Sequence, residues 1–152
     1  MDHVLQRILY VEDDEDFHEI AKLALEVFGS YTLKVCISGP DAIRSAAAFA
    51  PDLMLLDAMM PGMDGPATFK ELREIPQLAS VPIIFMTANA SPREVEQFMK
   101  LGAADVIPKP FDPMTLAHTI QKIWVKINGR QGETAGTGPD VTGCQNYRDV
   151  LD

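Results

Sequence analysis

Short apolar runs alternate with longer amphipathic stretches along most of the chain. The runs at residues 7–11, 31–37, 52–57, 81–87 and 104–107 are short, apolar and bounded by polar or turn residues. That pattern is typical of buried strands. The intervening stretches carry apolar residues at helical spacing, at residues 15–28, 40–49, 65–75, 92–101 and 112–127. The pattern therefore predicts five strand–helix units in series.

This alternation predicts the fold class. Strands that alternate with helices form an α/β fold, here a doubly wound parallel sheet of five strands with helices on both faces. In open sheets of this kind, ligands bind at the carboxyl ends of the strands. The candidate functional residues are therefore the polar side chains that end the predicted strands, which are Glu12, Asp13, Asp57, Thr87 and Lys109.

The composition changes after Asn128. The last 24 residues contain five of the ten glycines and few large apolar residues. Glycine-rich polar segments bury too little apolar surface to fold by themselves. We therefore predict one domain over residues 1–128 and a flexible C-terminal tail, or the start of a linker, over residues 129–152.

Charge and composition disfavour several classes of function, among them nucleic-acid binding and membrane insertion. The chain has 22 acidic and 13 basic side chains, a formal charge of −9, which does not favour direct contact with nucleic acid. No apolar run is long enough to insert into a membrane, and no secretory signal is apparent. The two cysteines, Cys36 and Cys144, lack metal-ligand spacing. A reduced, cytoplasmic setting is the simplest expectation.

The candidate residues favour phosphoryl chemistry. Glu12, Asp13 and Asp57 would place three carboxylates in one pocket, where a hard divalent cation such as Mg²⁺ relieves their repulsion. A carboxylate beside Mg²⁺ and a lysine is suited to attack phosphorus and form an acyl phosphate. Lys109 and Thr87 would each contact one phosphoryl oxygen. The pattern of these residues predicts that Asp57 is the acceptor.

Four segments carry a resemblance to a known family. They are ILYVED at the first strand, LLDAMMPGMDG around Asp57, MTA at Thr87 and GAADVIPKPF around Lys109. Over about residues 6 to 127 the chain resembles the response-regulator receiver domains of two-component signalling, similar to chemotaxis regulators. The resemblance implies a flavodoxin-like (βα)5 fold with strand order 2-1-3-4-5.

The resemblance also implies a role in a phosphorelay. Asp57 would accept the phosphoryl group from a phosphohistidine of a sensor histidine kinase or a histidine phosphotransfer protein. Lys109 and Thr87 would assist, so the domain would catalyse only its own phosphorylation and dephosphorylation and would not be an enzyme with a separate substrate. Output would pass to a downstream protein partner, without direct nucleic acid contact.

A magnesium site follows from the same resemblance. Asp13 and Asp57 would bind Mg²⁺ directly, Glu12 would act through water, and the backbone carbonyl of Met59 would complete the protein ligands. The Lys109–Pro110 peptide bond is often cis in the family.

One position departs from the family pattern. The residue three before Lys109 is usually a tyrosine or phenylalanine whose ring moves inward on phosphorylation, and here it is Val106. Output would then rely on Thr87 and the fourth helix, or the domain would be a relay with a weak switch. An alternative is a degenerate receiver that serves only as a protein-interaction module. An aspartate-nucleophile phosphatase is disfavoured, because Met59 stands where such enzymes carry a second acid.

Overall fold

Five parallel strands alternate with five helices in the part of the chain that the structure describes. This computed structural model describes residues 4–134, with side chains over residues 4–128. The strands are β1 (Arg7–Val11), β2 (Thr32–Cys36), β3 (Leu53–Asp57), β4 (Ile83–Thr87) and β5 (Asp105–Pro108). The helices are α1 (Glu15–Lys22), α2 (Gly39–Phe49), α3 (Gly65–Arg73), α4 (Pro92–Leu101) and α5 (Leu116–Thr134).

The strand order is β2-β1-β3-β4-β5, which confirms the predicted doubly wound sheet. Every residue of β3 and β4 is buried, whereas the edge strands β2 and β5 are partly exposed. Central strands of a parallel sheet are covered on both faces, which explains why DLMLLD and PIIFMT are almost continuously apolar. The two strands that carry Asp57 and Thr87 are therefore the two whose residues are all buried.

The core lies on both faces of the sheet, because side chains of a strand alternate in direction. Leu9 and Val11 of β1 face the side covered by α2, α3 and α4. Ile8 and Tyr10 face the side covered by α1 and α5. Tyr10 thus points toward the same helix, α1, that begins just after the acidic residues.

Side-chain caps fix where four helices begin. Asp14, Ser38, Asp64 and Ser91 are the N-caps of α1 to α4, and each accepts a hydrogen bond from a backbone N–H of the first helical turn. Capping satisfies donors that the helix itself leaves unpaired. Since α1 and α3 start beside the ends of β1 and β3, their caps help to fix the loops around the predicted site.

The first and last helices differ most from the predicted ones. The stretch predicted as one helix over residues 15–28 consists of α1 followed by a π-helical turn at Leu23–Val27. The last helix begins at Leu116 and runs to Thr134, past the predicted domain end at Asn128. The remainder of the predicted tail, with Cys144, lies outside the described residues. Among the helices described, none is long and apolar enough to cross a bilayer.

Candidate functional site

The predicted site residues meet at one edge of the sheet. Glu12 follows β1, Asp57 ends β3, Thr87 ends β4, and Lys109 follows β5. The register aligns Asp57 with Met86, one residue before Thr87, and the Lys109 amide donates to the Thr87 carbonyl at 2.8 Å. Residues far apart in sequence are thus brought together by strand pairing alone.

Three carboxylates form a cluster at this edge. One oxygen from each of Glu12, Asp13 and Asp57 lies within 4.8 Å of the others. Glu12 and Asp57 are buried, at 1% and 4% exposure, whereas Asp13 is exposed. The cluster therefore has two acids fixed in the protein and one at the solvent boundary, which leaves one side open to a ligand.

Lys109 compensates the two buried acids. Its Nζ donates to Glu12 Oε1 at 2.8 Å and to Asp57 Oδ1 at 3.2 Å. The lysine side chain is itself 10% exposed, so these ion pairs are shielded from water. Shielded pairs are screened little by salt, and loss of Lys109 would leave the two buried carboxylates uncompensated.

The pKa values of Asp57 and Lys109 in the cluster both lie above their ordinary values. Burial, and then repulsion by Glu12, raise the pKa of Asp57 to about 6, although Lys109 opposes the shift. Burial alone would lower the pKa of Lys109, but its hydrogen bonds and attraction to Glu12 and Asp57 raise that pKa above its usual value. The pocket thus carries more negative charge than one lysine neutralises, so it favours a further cation.

Glu12 is held by three other groups that the sequence did not identify as part of the site. The Tyr10 hydroxyl donates to Glu12 Oε1 at 2.8 Å, and the Asp14 amide donates to Oε2 at 3.2 Å. His18 Nε2 contacts the Glu12 carbonyl, so this nitrogen carries the proton. One signal was available for Tyr10, because residues two apart on a strand share a face. Nothing in the sequence signalled His18.

An aromatic ring lies against Lys109. The ammonium nitrogen is 4.1 Å from the centroid of the Phe17 ring, and that ring contacts Phe111 with 5.8 Å between centroids. In the sequence, Phe17 is one of the apolar residues at helical spacing over residues 15–28. Its contact with Lys109 depends on how α1 lies relative to the loop after β5, so the sequence did not predict it.

The backbone after β3 packs closely around Asp57. The Met59 amide lies 3.4 Å from Asp57 Oδ1, and the Met59 side chain is exposed. A Cβ on Gly65 would lie 2.6 Å from the Asp57 carbonyl oxygen and 2.8 Å from Ala58 Cα. Only glycine fits there, so the turn residues after Asp57 let the start of α3 approach the strand end.

Thr87 is adjacent to the cluster but bonded elsewhere. Its hydroxyl contacts the Asn89 carbonyl at 3.3 Å and accepts from the Asn89 amide at 3.1 Å. Val106, on β5, pairs with Phe85 and packs partly buried against the core on the α4 face. Asp57 and Lys109 are therefore already in contact, whereas the Thr87 hydroxyl is bonded to the Asn89 backbone.

The donor set fits Mg²⁺. All three clustered side chains offer carboxylate oxygens, the hard ligands that this ion prefers, and the open side at Asp13 has room for the waters it retains. Among the described residues, this cluster includes no soft or nitrogen ligand. The Lys109–Pro110 bond that precedes the last loop is cis.

Comparisons with known proteins identify the domain. Residues 8–121 match the family described as the response regulator receiver domain. The chain is 33% identical to the transcriptional regulatory protein CseB of Streptomyces coelicolor, over 90% of this chain and 57% of that protein. It is 35% identical to the DNA-binding response regulator MtrA of Mycolicibacterium smegmatis, over 89% of this chain and 56% of that protein. The chain therefore spans about half the length of these relatives.

Solved structures agree in fold. The chemotaxis protein CheY4 of Vibrio cholerae superposes with a TM-score of 0.73 at 28% identity, covering 79% of this chain and 99% of that one. The receiver domain of the sensor histidine kinase PA1611 of Pseudomonas aeruginosa has a TM-score of 0.68 at 32% identity, covering 78% and 97%. That structure contains a magnesium ion coordinated in its active-site cleft.

Proposed function

Because the chain belongs to the response regulator receiver domain family, we propose that Asp57 is the residue that accepts the phosphoryl group. The observation that supports this choice is the cluster itself. Asp57 is the buried carboxylate that ends a central strand and contacts Lys109. Phosphoryl acceptance is the function of the family, so an interaction-only role is not favoured for a chain with an assembled pocket.

The transfer is a displacement at phosphorus. An Asp57 carboxylate oxygen forms the new P–O bond while the P–N bond of a phosphohistidine breaks, and the electron pair of that bond stays on the imidazole. Such a transition state requires positioning and neutralisation of the phosphoryl oxygens more than covalent assistance. Lys109 contacts Asp57 before the reaction and supplies one positive charge to these oxygens.

We propose that Asp13 and Asp57 hold Mg²⁺ directly, with Glu12 acting through water and the Met59 carbonyl as a further ligand. When bound, the ion supplies positive charge that offsets the carboxylates and the incoming phosphoryl group. Glu12 is pre-oriented by Tyr10 and the Asp14 amide, so its carboxylate needs no rearrangement to act at this site.

Thr87 would bind the phosphoryl group after transfer. Its hydroxyl can leave the Asn89 backbone and donate to a phosphoryl oxygen at little cost, because Asn89 is exposed and water replaces the lost contact. Together Lys109, Thr87 and the carboxylates would promote only phosphorylation and dephosphorylation of Asp57 itself.

The partners follow from this role. Response regulators interact with histidine kinases, and we propose a sensor histidine kinase or a histidine phosphotransfer protein as the donor, in the cytoplasm. Output would pass through changed protein contacts. The net charge of −9 disfavours direct contact with nucleic acid, but a downstream partner that binds DNA is compatible with relatives such as MtrA.

Intact-mass measurement tests the proposal. The full chain is incubated with Mg²⁺ and acetyl phosphate, a small phosphodonor, and a parallel sample contains a chelator in place of Mg²⁺. We expect one added phosphoryl group with Mg²⁺ and little or none with the chelator. The proposal would be contradicted if the wild-type protein gained a phosphoryl group neither from acetyl phosphate nor from a phosphorylated histidine kinase.

A pair of matched variants locates the chemistry. Asp57→Asn should abolish the adduct. Asp64→Asn changes the same functional group nearby, at the N-cap of α3, where asparagine caps as well as aspartate. This control should be phosphorylated like the wild type. Equal loss in both variants would indicate damage to the loop rather than loss of the acceptor.

A further inference from the structure

A contact beyond its ion pairs can help to position the Lys109 side chain. A lysine ammonium is a compact charge on a flexible four-carbon stem, and fixing that stem costs conformational entropy. The ammonium is nearer to Glu12 than to Asp57, at 2.8 Å against 3.2 Å. A third contact would restrict it further to the position where it serves both acids.

The Phe17 ring provides that third contact. The ring centroid lies 4.1 Å from Nζ, within the range of cation–π attraction. A ring face attracts the cation but accepts no strong hydrogen bond, so the N–H donors of the ammonium stay directed to oxygen atoms. Two of the three donors contact Glu12 and Asp57.

Two features hold the Phe17 ring in place. The Phe17 amide donates to the carbonyl of Asp14, the N-cap of α1, so the helix start that follows the acidic residues also sets this side chain. The ring also contacts Phe111, two residues after the lysine itself, at an interplanar angle of 44°. The half-buried ring of α1 thus packs against the loop after β5, which carries both Lys109 and Phe111.

We propose that Phe17 is a positioning residue for phosphoryl acceptance, whose ring holds the Lys109 ammonium over Asp57. The inference rests on the proposed function of Asp57 and deepens it. A leucine at this position would keep apolar packing but lose the attraction between ring and cation. A tyrosine would keep both.

The rate of phosphorylation by acetyl phosphate with saturating Mg²⁺ is the first measurement. Phe17→Leu should lower the maximal rate about three- to tenfold, the range expected for loss of a partly buried cation–π contact. The donor concentration that gives half the maximal rate should change little. Phe17→Tyr should restore the rate to within about twofold of the wild type. Phe28→Leu is the matched control, since Phe28 is exposed and follows the π-helical turn after α1.

A double variant separates positioning from general damage to α1. In a Lys109→Gln background the ammonium is gone, so Phe17→Leu should cause no further slowing. Equal slowing in both backgrounds would overturn the proposal, as would a Phe17→Leu variant as fast as the wild type or a Phe17→Tyr variant as slow as Phe17→Leu. If Phe17→Leu does not fold, Phe17→Met replaces it, because methionine fills irregular apolar gaps.

NMR of the lysine side chain gives a readout that needs no phosphorylation. The ring should shift the ε-CH₂ protons of Lys109 upfield, and Phe17→Leu should return them to the values of exposed lysines. Unchanged shifts in Phe17→Leu would overturn the inference even if Asp57 is phosphorylated normally. Failure of the proposed function is distinct, because it appears as a missing adduct on the wild-type protein.

Discussion

The cluster of Glu12, Asp57 and Lys109 differs in its state from the neighbouring end of β4. In the cluster, Glu12 and Asp57 are buried and already bonded to Lys109, which follows β5. At the end of β4, the Thr87 hydroxyl is bonded to Asn89, and Val106 on β5 packs against the core on the α4 face. The proposed acceptor is assembled in this state, whereas Thr87, the group proposed to respond, is not engaged.

The difference follows from the cost of burying charge. A buried carboxylate without a partner is so unfavourable that the fold must supply Lys109 whenever Asp57 is ionised. A neutral hydroxyl is satisfied by any nearby backbone group, so Thr87 can form a local contact and exchange it later at a cost of about 1 kcal/mol. In the proposed mechanism Asp57 is therefore preorganised, and the response of Thr87 depends on the phosphoryl group.

The largest expected effect is on Lys109. Lys109→Gln should lower the rate of Asp57 phosphorylation by about a hundredfold, because it removes a preorganised charge from the transferring group. Lys100→Gln is the control, since Lys100 lies exposed on α4 and pairs only with Glu96 among the described residues. Rates are followed by intact mass. A Lys109→Gln rate within about threefold of the wild type would contradict preassembly as the source of reactivity.

The next effect is on stability and depends on pH. In the folded, metal-free protein the pKa of Asp57 is about 6, above its ordinary value of 3.8. The folded state therefore binds this proton more tightly than the unfolded state, and stability falls as the pH rises between these values. Asp57→Asn should raise the free energy of unfolding at pH 7.5 by about 1–3 kcal/mol.

Urea unfolding at pH 7.5 and pH 4 measures this difference. The gain from Asp57→Asn should shrink at pH 4, where the wild-type carboxyl is already protonated in the folded state, and should shrink with added Mg²⁺, which stabilises the ionised form. A gain of equal size at both pH values would mean that repulsion within the cluster is not its cause.

A smaller effect is expected for Thr87. Thr87→Ala removes one neutral hydrogen bond to the phosphoryl group, which should slow acceptance about two- to tenfold. Thr87→Ser keeps the hydroxyl and should restore the rate. A Thr87→Ala rate as low as that of Lys109→Gln would contradict the contrast between the assembled cluster and the unengaged Thr87 hydroxyl.

The smallest effect on acceptance is expected for Val106. Val106→Tyr should leave the phosphorylation rate within about twofold, because this side chain packs against the core on the α4 face. Its role is tested by comparing NMR spectra of free and phosphorylated protein. We expect shift changes that extend from Thr87 into α4 in the wild type. Changes confined to the Asp57 pocket would show that Thr87 and α4 do not form a switch.

Much of the fold and part of the site were predictable from the sequence. The spacing of apolar residues and helix caps such as Asp64 and Ser91 are local signals. Parallel pairing of the strands then brings Glu12, Asp57 and Lys109 to one edge of the sheet. These predictions needed only neighbouring residues and one rule of topology.

The unpredicted contacts depend on angles that the sequence does not encode locally. Phe17 and His18 lie in the same helical pattern as ordinary core residues, and only the direction in which α1 leaves β1 brings them to Lys109 and Glu12. Periodicity also missed two details of the helices. It does not distinguish the π-helical turn at Leu23–Val27 from α-helix, and it does not show that α5 extends to Thr134.

Reductive trapping identifies the phosphorylated residue itself. Borohydride reduces an aspartyl phosphate to homoserine, so digestion and mass spectrometry of the phosphorylated, reduced chain locate the residue that carried the phosphoryl group. We predict homoserine at position 57 alone, with Asp13 and Asp64 unchanged. Homoserine at either of those positions, or a phosphorylated chain with none, would contradict the assignment of Asp57 as the acceptor.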